Sequence, residues 1–199
     1  MNKYDNKFMN SAIEWSTYSY CKRKQVGAVL VKDNREIASG YNGTISGSES
    51  NICEDYYYQC PYCKAKKDKI DDLVNYNKKP PGAYIDPFGD IIQMSCKNCK
   101  VIIADVDKAL TYSIPEALRH TQTKDSVIHA ERNIIAYCAK HGIAIDGCTM
   151  YITHSPCQGC AVLMAQSGIT KVIYKTEYKD TTGIKILKDA NIDISQYKG

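Results

Sequence analysis

A chain of 199 residues with 44% hydrophobic and 24% charged side chains has the size and mixture of one globular domain with a sizeable core and room for an insertion. Its formal charge of +4 and pI near 8.4 suit an anionic small molecule as well as a nucleic acid and do not choose between them. No apolar run approaches the ~20 residues of a membrane helix, and the opening "MNKYDNKFMN" lacks the basic-then-apolar order of a secretory leader, so the expected setting is the cytoplasm, with no membrane partner. Ten cysteines in a reducing setting, several of them in Cys-x-x-Cys pairs, point to metal-holding thiolates rather than to disulfides.

Residues 3–20, "KYDNKFMNSAIEWSTYSY", predict an amphipathic helix with Phe8, Ile13 and Trp15 on its apolar side. "QVGAVLV" and "REIASGY" follow as strands, and Asp33-Asn34 between them predicts a hairpin turn. "HAERNIIAYCAKHG" is the next helix, with Ile134, Ile135 and Cys138 inward and Gly142 as its stop. "CTMYIT" is a strand, and "PCQGCAVLMAQSG" a helix with Pro156 near its first turn and Gly168 at its end. "KVIYK", the helix "TTGIKILKDAN" and a short strand over Ile192–Ile194 complete the chain. Cys138 and Cys148 have the setting of small core residues. The order β-β-α-β-α-β-α-β behind a leading helix implies an α/β fold with a mixed sheet and helices on both faces, a three-layer α/β/α domain over 1–199.

One region, from about 44 to 124, interrupts that order and is too long for a bare loop. It holds Tyr56-Tyr57-Tyr58, a lysine-rich run from Lys64 to Lys69, Pro80-Pro81, and the pairs "CPYC" and "CKNC". Four thiolates, Cys60, Cys63, Cys96 and Cys99, suit a closed tetrahedral structural zinc in a ribbon-like insertion, replacing the core that so polar a segment cannot build. The same tyrosines and lysines would suit a nucleic-acid-binding ribbon. Asp68, Asp71 and Asp72 dilute the basic run, so a solvated face is the reading preferred and nucleic acid is not the expected partner.

The chemistry gathers in two other stretches. "SVIHAERNII" sets His129 two places ahead of Glu131 at a helix start, and "THSPCQGC" adds Cys157 and Cys160 behind a proline. Either half alone is bland, a solvated helix start or half of a structural site. Together they supply one imidazole and two thiolates, the three ligands a hydrolytic zinc site needs if a position is to stay open for water. Glu131, in the same first turn, adds a carboxylate, a residue type suited to moving protons beside a metal-bound water.

"VGAVLVKDNREIASGYNGTISG", "HAERNII" and "MYITHSPCQGCAVLMAQSGITKVIY" resemble the deoxycytidylate (dCMP) deaminase family, including its phage-encoded members, within the cytidine deaminase-like fold. The resemblance implies zinc-dependent conversion of dCMP to dUMP and ammonia, supplying dUMP for dTMP synthesis. It implies that Glu131 carries a proton from water to N3 and then to the departing amine, that the Ser155 carbonyl holds that amine, and that the Ala130 N–H helps bind the ring. Asn42 would bond the sugar, Tyr178 would lie near the pyrimidine, and Arg23 near a substrate or effector phosphate. Tyr41, Gly43, Thr44 and Ser46 belong to the loop that the family uses for nucleotides and effectors, with Gly43 allowing a tight turn, although Ile45 stands where members often have proline. Cys53 stands where the family often has a metal-binding cysteine and is a substitute candidate for one of the four ribbon thiolates.

Many members are hexamers activated by dCTP with Mg2+ and inhibited by dTTP, so a homohexamer with those effectors is implied here. The alternatives left open are deamination of dCTP, of 5-modified dCMP or of a cytosine or adenine in a polynucleotide, and a zinc-ribbon nucleic-acid-binding protein without this activity.

Overall fold

A computed structural model describes residues 3–78, 92–106 and 118–199. Along the chain come α1 (Asp5–Ser16), β1 (Gly27–Lys32), β2 (Arg35–Tyr41), β3 (Glu54–Gln59), β4 (Lys66–Lys67), α2 (Ile70–Leu73) and β5 (Val74–Lys78). Then follow β6 (Ile92–Cys96), β7 (Ile102–Val106), β8 (Arg119–Thr123), α3 (Ala130–His141) and β9 (Thr149–His154). The last elements are α4 (Gln158–Gln166), β10 (Lys171–Thr176), α5 (Thr182–Asp189) and β11 (Asp193–Gln196). They form two compact units, one of Met1–Cys53 with Lys124–Gly199 and one of Glu54–Thr123.

In the first unit a five-stranded sheet runs in the order β11-β10-β9-β1-β2. β1 is antiparallel to β2 and to β9, while β9, β10 and β11 are parallel. The β1–β2 hairpin turns on Asp33 and Asn34, with φ of 49° and 57°, the left-handed pair that a two-residue turn matched to strand twist requires. Alternation along β1 then divides the core. Ala28 and Leu30 pack with Ile134, Met150, Met164 and Leu187 on the side of α3, α4 and α5, and Val29 and Val31 pack with Phe8, Met9 and Ala12 of α1. The three layers and the mixed sheet agree with the sequence.

Several expectations are corrected. The buried stripe of α1 is Asp5, Phe8, Met9 and Ala12, with Ile13 and Trp15 only partly covered, because the i, i+4 spacing selects the row that faces β1. Asp5 is tolerated there since it accepts a 2.8 Å hydrogen bond from the buried Tyr151 hydroxyl. The final strand begins at Asp193, just past the expected start, and leaves Ile192 in the core. Cys138 and Cys148 are buried in the main core, as their setting suggested.

Cys53 is not a spare thiolate. It forms a disulfide with Cys21, buried beside Val127 in the first unit, and its carbonyl accepts the Lys124 N–H at 2.9 Å. This bond corrects both the expectation of reduced thiols throughout and the candidacy of Cys53 as a ribbon ligand.

The second unit is built of two three-stranded antiparallel sheets, β4-β3-β8 and β5-β6-β7. It is narrower than the segment 44–124 because residues 44–53 group with the first unit. Pro80-Pro81 lies outside the described residues.

Close packing of α1 on β1 depends on Gly27, where a β-carbon would overlap the Ala12 carbonyl and the Ser16 amide. Both obstacles are backbone, which cannot swing aside. Gly27→Ala should therefore destabilise the first unit by about 1–3 kcal/mol or more, read as a lowered Tm in thermal denaturation.

Candidate active site

The site is assembled where two helices begin on the same face of the sheet. Before α3, Ile128 bridges to Gly43 through a pair of backbone hydrogen bonds of 2.8 and 3.1 Å, which fixes the segment entering the helix. After β9, the Ser155 N–H donates to the Thr176 carbonyl at 2.9 Å, and the chain then turns at Pro156 into α4. His129 is the N-cap of α3 and Cys157 the N-cap of α4, both in extended backbone conformation.

Neither side chain makes the usual cap hydrogen bond. They face one another instead. His129 Nδ1 lies 3.6 Å from Cys157 Sγ and 3.4 Å from Cys160 Sγ, and the three donor atoms all fall within 4.8 Å of each other. One nitrogen and two sulfurs at such separations fit a single tetrahedral zinc with one position left for solvent. The positive ends of both helices also point to this spot, which favours thiolate.

Hydrogen bonds from Cys160 and His129 pull the Cys157 thiol down to about 3, while the bond to Cys157 pushes Cys160 upward. The bond to Cys157 likewise raises His129. Glu131, in the first turn of α3, is 3% exposed, and burial pushes its carboxyl upward. A buried carboxyl within two residues of the ligand set has the placement of a proton carrier.

The structure spreads the predicted binding residues over several roles. Asn42 is buried, with Oδ1 accepting from the Val26 N–H at 2.7 Å and Nδ2 donating to the Lys24 carbonyl at 2.9 Å. The amide expected to hold a sugar thus braces the segment that carries Arg23. Gly43 lies in the extended bridge rather than in a tight turn, and the positive φ of this loop, 87°, belongs to Gly47. Tyr41 stacks on Trp15 at 6.2 Å, on the α1 side. Thr44 Oγ1 donates to Asn51 Oδ1 at 3.4 Å, and Ser46 is exposed.

Ala130 is fully buried beneath the cluster's helix, and Ser155 is buried with its Oγ accepting the Tyr178 N–H at 2.7 Å. That bond holds the Tyr178 loop next to the Cys157 turn. Lys24 Nζ sits 4.2 Å from the centre of the Tyr178 ring, and its pKa is lowered by burial and by the charges of Lys179 and Arg23. Lys24 and Lys179 were missed in the sequence, although "CKRK" and "EYKD" place each beside a residue that was named. Also missed was Arg132, whose guanidinium lies on the bare Cα of Gly159, within the Cys157–Cys160 turn. Among the described residues, His120, His141 and His154 belong to neither group of potential metal ligands.

Residues 2–176 match the model of the cytidine and deoxycytidylate deaminase zinc-binding region. The chain is a member of this zinc-binding deaminase family, on the cytidine deaminase-like fold. Within the family it is 34% identical over 181 residues to the deoxycytidylate deaminase of Enterobacteria phage T4, spanning 90% of this chain and 82% of that one. It is 26% identical over 176 residues to the deoxycytidylate deaminase of Mycobacterium phage D29, spanning 87% and 95%. The crystal structure of the dCMP deaminase from cyanophage S-TIM5 in complex with dCMP and dUMP superposes with a TM-score of 0.63 at 26% identity, covering 99% of both chains.

A Glu131 that moves protons without ligating predicts that Glu131→Ala reduces turnover by about 10²–10⁴-fold or more while the protein keeps its catalytic zinc. Parallel rate and metal analyses of the purified variant check this, and loss of that zinc would reassign Glu131 as a ligand.

Proposed function

We propose that this protein deaminates dCMP hydrolytically, taking one water and releasing dUMP and ammonia to supply dTMP synthesis. The observation that carries the reading is the convergence of His129, Cys157 and Cys160 on one point with Glu131 buried beside them. Zinc held by those three ligands would lower the pKa of a water to about 7. Glu131 takes one proton as water adds to C4 and delivers it to N3, then takes the proton of the new C4 hydroxyl and passes it to the amine, so that the C4–N bond breaks to ammonia as the C4 carbonyl forms. Ser155, fixed by its bonds to Thr176 and Tyr178, presents its carbonyl to the amine, and the Ala130 N–H faces the ring.

A monophosphate is favoured over a nucleoside by the positive charge of Arg23, Lys24 and Lys179 gathered by the Tyr178 loop. A phosphate dianion would relieve the mutual repulsion that lowers the Lys24 pKa, and Asn42 holds the backbone on which Arg23 and Lys24 ride. Nucleotide pools place this reaction in the cytoplasm, that of the host if the chain is phage-encoded. Among the described residues no helix is long and apolar enough to cross a membrane. By resemblance, the reading extends to a homohexamer activated by dCTP with Mg2+ and inhibited by dTTP, with Tyr41, Gly43, Thr44 and Ser46 on the effector side.

Ammonia release measured on dCMP, deoxycytidine, dCTP, 5-methyl-dCMP and a cytosine-containing oligonucleotide tests the substrate. dCMP should give the highest kcat/KM, and Lys24→Ala should lower that value about tenfold or more while leaving the rate on deoxycytidine unchanged. A preference for the oligonucleotide or for dCTP would replace the reading.

Control by dCTP and dTTP requires each to prefer one of two conformations, since a ligand with equal affinity for both shifts nothing. The dCMP saturation curve should then be sigmoidal, become hyperbolic with dCTP and Mg2+, and be suppressed by dTTP. A hyperbolic curve indifferent to both nucleotides would remove the regulation and leave the deamination.

A further inference from the structure

The deaminase reading uses two of the eight free cysteines, Cys157 and Cys160, and Cys138 and Cys148 belong to the main core. Cys60, Cys63, Cys96 and Cys99 are left, all in the second unit. We propose that these four thiolates hold a second, structural zinc ion that clamps together the two sheets of that unit.

Distances carry the argument first. Cys60 Sγ lies 3.9 Å from Cys99 Sγ, Cys63 Sγ lies 3.7 Å from Cys96 Sγ, and all four sulfurs fall within 4.8 Å of one another. Four sulfurs at the corners of a tetrahedron about 2.3 Å from a central zinc stand about 3.8 Å apart. In the same molecule Cys21 and Cys53 are joined as a disulfide, yet these four remain an unbonded, closely spaced set. A disulfide would bring two sulfurs to about 2.05 Å and leave the other pair behind.

The backbone supplies a second, independent observation. Around Cys60, the Lys64 N–H donates to the Cys60 carbonyl at 3.1 Å and the Cys60 N–H to the Ala65 carbonyl at 3.0 Å. Around Cys96, the Lys100 N–H donates to the Cys96 carbonyl at 2.9 Å and the Cys96 N–H to the Val101 carbonyl at 3.0 Å. Lys64 and Lys100 even share a left-handed conformation, with φ of 60° and 63°. Two segments of unlike sequence, "CPYCKA" and "CKNCKV", therefore fold into the same knuckle and turn both cysteines of each toward one point.

The left-handed lysines cost energy that an exposed loop would not otherwise accept. Asn98 adds outer-shell bonds, from its N–H to Cys96 Sγ and from Nδ2 to Cys63 Sγ, each 3.4 Å, which spread the negative charge of four thiolates.

Placement gives the ion its purpose. Cys60 directly follows β3 of one sheet, and Cys96 ends β6 of the other. Among the described residues no strand ladder links these sheets, and the shared core is Leu73, Val74, Met94 and Leu118 with Cys60 and Cys96 themselves. Among the described residues Tyr58, Ala65, Ile70 and Ile103 add partly buried apolar surface, and so small a core gains from a metal staple. Soft tetrahedral S₄ sites take zinc or iron, and the proposal is zinc.

Metal analysis of the intact protein, with cysteine alkylation mapped by peptide mass spectrometry, tests the site apart from catalysis. The wild type should contain about two zinc ions per chain. Cys96→Ser and His129→Ala should each retain about one, lost from different sites. In the wild type, Cys60, Cys63, Cys96 and Cys99 should resist iodoacetamide until a chelator is added, and in His129→Ala that protection should persist. One zinc per wild-type chain with the four cysteines alkylated equally before and after chelation would overturn the proposal. Iron in place of zinc would overturn it too, as would two zinc ions retained by Cys96→Ser.

Discussion

The geometry of the first unit rests on the meeting of two helix N-termini on one face of a sheet. α3 and α4 both pack against the layer built on Ala28, Leu30, Met150 and Ile152, so their first turns are fixed by burial rather than by any bond between His129 and Cys157. Burial of that kind is non-directional and tolerates shifts, whereas a three-ligand site does not. Direction comes from two backbone constraints, the Gly43–Ile128 bridge ahead of α3 and the Ser155–Thr176 hydrogen bond ahead of α4. The core brings the ends together and these bonds set their register.

This arrangement gives up local stability. An N-cap normally turns its side chain onto its own helix, a contact worth about 1 kcal/mol, and α3 and α4 both forgo it. Glu131 is buried in the same turn, where desolvation opposes its ionised form. Three unfavourable choices within one cluster are what a site selected for chemistry looks like when the surrounding core is large enough to carry them. The sheet supplies that surplus, with Leu30, Ile134, Met150, Ile152, Met164 and Leu187 all below 2% exposure.

The features legible in the sequence were those with a short-range physical signature. The continuous apolar run of β1, the Asp33-Asn34 turn and the glycine after α3 each encode their structure within a few residues. The grouping of His129, Cys157 and Cys160 was legible because each motif keeps its donors within one helical turn. What escaped depends on tertiary neighbours. Trp15 looked like core until Met9 and Ala12 took the buried row, and the bonds by which the Asn42 amide holds Val26 and Lys24 leave no local trace in the sequence. Cys53 was assigned by its resemblance to metal-binding positions, and no local signal in either sequence segment pairs it with Cys21, 32 residues away. Lys24 and Arg132 matter through what they touch, the Tyr178 ring and the Gly159 backbone, and no periodicity records a touch.

The two units also illustrate how core size decides the means of cohesion. The first unit closes a sheet between helical layers and buries apolar side chains on both faces, so its cysteines 138 and 148 can serve as plain packing. The second has short antiparallel strands, a β4 of two residues and a helix of four, and its strands carry residues as polar as Asp55, Gln59 and Gln122. Such elements cannot recover the entropy of their own ordering through hydrophobic burial. A cross-link of four thiolates through one ion needs little apolar area and acts at the ends of β3 and β6, where the sheets otherwise share no ladder. Metal chemistry therefore serves opposite ends in one chain. The three donors of the first unit would leave a coordination position open for reaction, and the fourth thiolate proposed in the second would close it for stability.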